Sequence, residues 1–199
     1  MLILAFDTAT PVASVALAAN DELLGQRASK AVRVLSDAHE LLAEQSLSPA
    51  DLDALVVGVG PGSFTGIRIG LATARGLALA LEIPVAGVST LDSLAAGAPG
   101  AVPVIDAARR EVFAGLTDGP TVLSPGELNL PGATRVVGDG AVRYRTFFEE
   151  LGLDVPPDRA EEHRVRARFH ISLAHDFGPA QAVEPLYLRT PDAERARAA

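Results

Sequence analysis

Cysteine is missing from the 199-residue sequence, lysine occurs once, at Lys30, and acidic residues outnumber basic ones by 25 to 17. Each shortage removes a class of function. Without cysteine there is no disulfide and no thiolate metal site, which suits a cytosolic protein. The formal net charge of -8 argues against a free-standing nucleic-acid binder, because neutralising phosphates takes clustered cations. The arginines that do cluster, from Arg159 to Arg168 and from Arg189 to Arg197, read as solvated, partly helical surface. No apolar stretch is long enough to span a bilayer without glycines and arginines interrupting it. The N-terminal apolar run breaks at Asp7 and Thr8 and has no basic region ahead of it, so no signal peptide is expected. These shortages together predict a soluble, cytoplasmic protein without membrane contact.

What is present is a globular composition, 48% hydrophobic and 21% charged, in a chain able to bury a substantial core as one domain or two small lobes. Short apolar runs at Leu2 to Phe6, Val12 to Leu17 and Glu22 to Arg27, the last two joined through Asn20-Asp21, predict an antiparallel meander. Helical spacing follows at Val34, Leu35, Ala38, Leu41 and Leu42 and should end between Ser46 and Pro49. A buried strand at Leu55 to Val59, a glycine-rich turn, a helix reaching Leu81 and a strand at Pro84 to Val88 complete this half.

The turn, Gly60-Pro61-Gly62-Ser63-Phe64-Thr65-Gly66, joins a strand to a helix N-terminus, a geometry that can cradle an anion or allow tight packing. Three catalytic readings fail on spacing. A Walker loop needs Lys after its last glycine, and Gly66 is followed by Ile67 and Arg68. A nucleophile elbow needs glycines two residues either side of Ser63, where Pro61 and Thr65 stand. The dinucleotide fingerprint is one residue too long between Gly62 and Gly66. Ser63 therefore reads as a loop or cap residue.

The second half repeats the plan. Ile3 to Asp7 is echoed by Pro103 to Asp106, and each aspartate is followed by another apolar strand, Val12 to Leu17 and Val112 to Leu116. Strands near Thr121 to Leu123 and Arg135 to Val137 precede a helix carrying Val142, Tyr144, Phe147, Phe148 and Leu151. Gly97, Pro99 and Gly100 mark the boundary. This predicts one lobe over residues 1–97, a more divergent lobe over 98–190 and a disordered tail over 191–199. A meander followed by crossover helices, duplicated, resembles the actin-like ATPase and sugar kinase superfamily (ASKHA, RNase H-like). The fold class implied is α/β, with two small lobes, each a mixed sheet with flanking helices. In such folds the first turns of the two lobes face each other and hold nucleotide phosphates and Mg²⁺. Asp7, Thr8 and Thr10 in one lobe and Asp106 in the other fall at those positions. The alternative is that each aspartate ends its strand and binds its own turn.

With the glycine-rich loop, both aspartate turns and Pro185-Leu-Tyr-Leu-Arg189 taken together, the chain resembles the TsaB (YeaZ) family of tRNA threonylcarbamoyladenosine biosynthesis. The likeness runs through Asp7 to Thr10, Leu52 to Leu55, Gly60 to Gly70, Gly76 to Ala78 and Pro84 to Thr90, and thins in the second half. It implies a non-catalytic subunit that heterodimerises with the TsaD transferase and recruits the TsaE ATPase. TsaD modifies adenosine 37 of tRNAs reading codons that begin with A, so tRNA would be met only through the complex. The resemblance implies no catalytic residue and no cofactor on the isolated chain, with ATP or ADP and Mg²⁺ bound only in the assembled complex. TsaD-like proteins carry a pair of metal-binding histidines at helical spacing. Here the four histidines, His39, His163, His170 and His175, include no pair three or four residues apart, and no metal site is expected.

The second helix is apolar nearly all round. Ile67, Leu71, Ala74, Ala78 and Leu81 form one stripe, suited to covering the sheet, and Gly66, Gly70, Thr73, Leu77 and Ala80 form another of small residues. With the first helix this predicts a two-helix platform for a partner, built on Leu35, Leu42, Gly66, Ile69, Gly70, Thr73, Leu77 and Ala80. The same surface could make a homodimer of the isolated chain. Bulky residues at Gly70 or Thr73 should then block assembly without unfolding the monomer. Two readings compete. The helix is internal core, or the chain is an ATP/Mg-dependent kinase-like phosphotransferase using Asp7 and Asp106.

Overall fold

A computed structural model describes residues 1–20 and 22–189. The expected tail lies outside the described residues. The first sheet is built on β1 (Leu2–Asp7), whose six residues are all buried because both of its faces are covered. Leu2, Leu4 and Phe6 point to one side and Ile3 and Ala5 to the other. Strand β2 (Ala13–Ala19) pairs antiparallel with β1, and β3 (Glu22–Ser29) pairs antiparallel with β2 through a register shift at Leu17/Ala18. Strand β4 (Ala54–Gly58) runs parallel to β1, and β5 (Val85–Val88) parallel to β4. The order is β3-β2-β1-β4-β5.

Helices α1 (Val34–Glu44) and α2 (Phe64–Leu81) lie on the face carrying Leu4, Phe6, Leu55 and Val57. A 3-10 turn at Ala31–Arg33 leads into α1 and rests against α2. By length and composition α2 is apolar enough to cross a membrane. Here it beds Gly66, Ile67, Gly70, Leu71, Ala74 and Ala78 on its own lobe and ends at Glu82, which closes it in a left-handed conformation. A short helix not anticipated from sequence, α3 (Thr90–Ala96), is capped by Ser89, whose hydroxyl accepts from the Asp92 N-H. Its seven residues are too few to show a helical period.

The second sheet contains β6 (Val102–Asp106), β7 (Val112–Leu116), β8 (Gly119–Leu123) and β9 (Val136–Val137) in the order β8-β7-β6-β9. An antiparallel meander followed by a parallel fourth strand repeats the first sheet, as the echo between the halves predicts. The helix expected near 142–151 is broken at Tyr144 into α4 (Asp139–Arg143) and α5 (Arg145–Glu150). Helix α6 (Ala167–Leu173) returns from the C-terminal part to the open face of the first sheet, where it packs with Ile3, Ala5, Ala16, Val56 and Val88. The buried Ser14 hydroxyl accepts from the Ala167 N-H at 2.8 Å and fixes its start.

Gly76 sits mid-helix in α2, exposed, and a Cβ added there would meet nothing within 4 Å. Gly76→Ala is expected to stabilise the isolated chain by about 0.5–1 kcal/mol, since glycine in a helix interior gives up more backbone entropy than alanine. Thermal melts check this, and a lower melting temperature would contradict it.

Candidate functional site

The turn after β1 is held by its own lobe. Asp7, 1% exposed, ends the central strand. Its Oδ1 accepts from the Ala9 N-H at 2.7 Å, while Oδ2 accepts from the Thr90 hydroxyl at 2.7 Å and lies 2.9 Å from His170 Nε2. Burial pushes this carboxyl up. The His170 hydrogen bond and charge, with the Ala9 N-H and the Thr90 hydroxyl, more than offset that and hold it below the usual carboxylate range. The close approach of Asp7 needs Gly58, where a Cβ would overlap the carboxylate.

The glycine-rich loop packs on the same turn. Ser63 caps α2, its hydroxyl accepting from the Gly66 N-H at 3.2 Å, and its own N-H donates to Ala9 O at 2.7 Å. The Gly60-Pro61 peptide is cis, and Gly60 has φ +98°, a region open chiefly to glycine. Cβ atoms at Gly62 and Gly66 would overlap the carbonyls of Ala9 and Thr8, and one at Gly70 would lie 2.6 Å from Thr8 Oγ1. Thr8 Oγ1 donates to Gly66 O at 2.6 Å and completes the seam. Three of the glycines are thus a bed for the first turn.

The second lobe uses the same device. Gly138 and Gly140 follow β9 as the glycine loop follows β4; a Cβ on Gly138 would overlap Val104 O, and one on Gly140 would lie 2.9 Å from Asp106 N. Asp106 Oδ1 accepts from the Ala108 N-H at 3.0 Å, and Oδ2 from Arg143 Nη1 at 2.6 Å. Asp139 accepts from the Asp106 N-H at 3.0 Å. Burial, with the like charge of Asp106 beside it, pushes the Asp139 carboxyl up despite its backbone hydrogen bonds.

The two turns face each other across a cleft of about 740 Å³, lined by Thr8 to Pro11, by Pro61 to Gly66, by Ile105 to Ala108 and by Asp139. The Thr10 hydroxyl, on its rim, donates to Val12 O at 2.9 Å. Asp7 points away from the cleft to His170. One turn carboxylate is paired with His170 and the other with Arg143, while Asp106 and Asp139 both line the cleft. Among the described residues no group of three or more His, Asp or Glu side chains is placed to hold a metal. Thr90, Asp139 and Arg143 were not among the residues singled out from sequence, and His170 was named there only as a histidine without a metal-binding mate. Only Asp139 had a legible signal, as the residue between two glycines that mirror the first-lobe loop.

The expected docking residues separate into two groups. Leu42 is 2% exposed and, with Gly66 and Gly70, lies inside its own lobe. The expectation that a bulky residue at Gly70 spares the fold is corrected by the 2.6 Å approach to Thr8. Ile69, Thr73 and Leu77 are half-buried, and Ala80 and Leu35 are exposed. The outward face of α2 is instead Arg68, Ala72, Arg75, Gly76 and Leu79. Leu79 is 76% exposed, and the chain at the start of α1 presents Val32 at 82% and Leu35 at 55%.

Residues 26–128 match the family described as "TsaD: tRNA N6-adenosine threonylcarbamoyltransferase". An uncharacterized protein of Mycobacterium tuberculosis is 37% identical over 96% of this chain and 93% of its own length. The Escherichia coli "tRNA threonylcarbamoyladenosine biosynthesis protein TsaB" is 46% identical over 49% of this chain and 44% of its own. The solved structure titled "YeaZ from Pseudomonas aeruginosa" is 28% identical and has a TM-score of 0.74, covering 94% of this chain and 99% of that one. Two mixed sheets of one plan, with their first turns opposed across a cleft, define a two-lobed α/β protein of the actin-like class. The chain belongs to the TsaB (YeaZ) family.

Proposed function

We propose that the chain is a non-catalytic subunit of tRNA threonylcarbamoyladenosine biosynthesis, docking a TsaD-like transferase and working with a TsaE-like ATPase. Family membership supports the pathway. The observation that carries the non-catalytic reading is that both turn aspartates already have side-chain partners, Asp7 the buried His170 and Asp106 the exposed Arg143. On this reading the isolated cytoplasmic chain holds no cofactor, and ATP or ADP with Mg²⁺ and the tRNA are engaged only in the complex. The kinase-like reading needs those same carboxylates free. Calorimetric titration of the isolated chain with Mg-ATP separates the two, because tight binding with turnover favours the kinase.

The docking face is assigned to Val32, Leu35 and the outward side of α2 around Leu79, large apolar groups left in water beside the small Ala72 and Gly76. Small residues let a partner helix come close. The same face is where the isolated chain would pair with a second copy. Leu79→Glu combined with Val32→Glu is expected to weaken co-elution with a TsaD-like partner by at least about 30-fold, the roughly 2 kcal/mol of an interface hot spot. Melting should stay within about 0.5 kcal/mol of the parent, as for exposed substitutions. Undiminished co-elution sinks the assignment.

A further inference from the structure

We infer that residues 183–189 are a latch between the lobes that sets how far the inter-lobe cleft opens. After α6 the chain pairs with the first sheet at its β5 edge, the Gly178 and Val85 backbones exchanging hydrogen bonds of 2.8 and 3.1 Å. Ala180 enters the first core. The chain then crosses the mouth of the cleft. On the first-lobe side, Arg75 Nη2 donates to Val183 O at 2.9 Å, and the Leu186 N-H donates to Val59 O at 2.8 Å. The Tyr187 ring packs 5.0 Å from Phe64, and Arg68 donates to its hydroxyl at 3.2 Å while stacking over Phe64 at 3.7 Å.

From the next residue on, the holds belong to the other lobe. Leu188 packs on the core of Ile105 and Phe113. Arg189 donates to Ala107 O at 2.9 Å and pairs with Glu111. Leu186, Tyr187, Leu188 and Arg189 all form cleft wall, so moving the latch changes the opening itself.

Each second-lobe hold involves a side chain at the rim of a core, and each sheet keeps a cluster of its own, although Leu91 and Leu94 of α3 join Ile105 and Phe113 in a third. Such a segment can release while both sheets stay folded. Arg68 and Arg75 also stand on the outward face of α2 where the partner is placed above. That link rests on the docking reading, but the latch does not, and its test uses the isolated chain alone.

A cysteine-free sequence allows spin labels at Ala43→Cys on α1 and Asp118→Cys at the β7–β8 turn, both exposed, read by double electron-electron resonance. The labelled parent is expected to give one narrow distance distribution. Tyr187→Ala with Arg189→Ala should move the mean outward by roughly 5 Å, the scale of a domain shift, and broaden it. Glu111→Gln, which removes only the ion pair, should give a smaller displacement in the same direction. Unchanged distances in the folded double variant overturn the latch. So does loss of the circular dichroism spectrum on releasing these holds, since they would then be core contacts.

Discussion

Gly66→Val is expected to lower the melting temperature by roughly 6–12 °C, from overpacking of about 3 kcal/mol at the 2–4 °C per kcal/mol typical of a chain this size. The cause is local. The new Cβ would overlap the Thr8 carbonyl, a backbone atom fixed between β1 and the Asp7 turn, and Thr8 Oγ1 holds the Gly66 carbonyl from the same side. Neither group can swing aside as a flexible side chain could. Gly76→Ala on the outward side of the same helix is the control and should move in the opposite direction. Scanning calorimetry of both variants decides it, and an unaltered melt of Gly66→Val would show that the seam relaxes freely.

The second large effect is at the buried pair. His170→Ala is expected to destabilise the chain by about 3–5 kcal/mol, the cost of removing one partner of a buried ion pair. It leaves the Asp7 carboxylate with only Thr90 and the Ala9 N-H and opens a void beneath α6. Asp7→Asn should cost less, because it leaves no buried carboxylate without its partner. The pH dependence follows from the sign of the Asp7 shift. Its carboxyl is held below the value it has in the unfolded chain, so the folded state releases this proton more readily. The stability it contributes is complete above the unfolded carboxylate range near about 4 and is lost as pH falls through the lower, folded value. Urea melts from neutral pH into that acid range should show a loss of stability in the parent that is smaller in Asp7→Asn. Equal acid slopes in the two proteins would contradict the ionised state of Asp7.

Much of the frame was legible because it is local. Strands β1, β2, β4 and β6 are continuous apolar runs ended by an aspartate, a glycine or a turn, and the helical spacing of α2 is clear. The echo of Ile3 to Asp7 in Pro103 to Asp106 carried the duplication, since two short strands ending in aspartate recur with the same successor. The stripe of Ile67, Leu71, Ala74 and Ala78 does cover the sheet, as its spacing predicts. What periodicity could not give is that Gly66 and Gly70, in the second apolar stripe, also turn inward. Gly66 and Gly70 turn inward because only glycine lets the helix sit on the Thr8 turn. Leu79, set between Leu77 and Leu81 in an alternating Leu-Ala run, is the leucine of α2 left in water.

By itself the sequence determined the α/β class, the repeated plan, the family resemblance and the strand–glycine loop–helix unit, since each is written in neighbouring residues. Only the tertiary structure decided what the aspartates do. His170 lies 163 residues from Asp7 in sequence and Arg143 lies 37 from Asp106, and no spacing rule links such positions. A carboxylate at a turn has the same letter whether it faces a cleft or a side chain of its own lobe. The choice is made by burial and by which side chains the packing of α4 and α6 brings within hydrogen-bond distance.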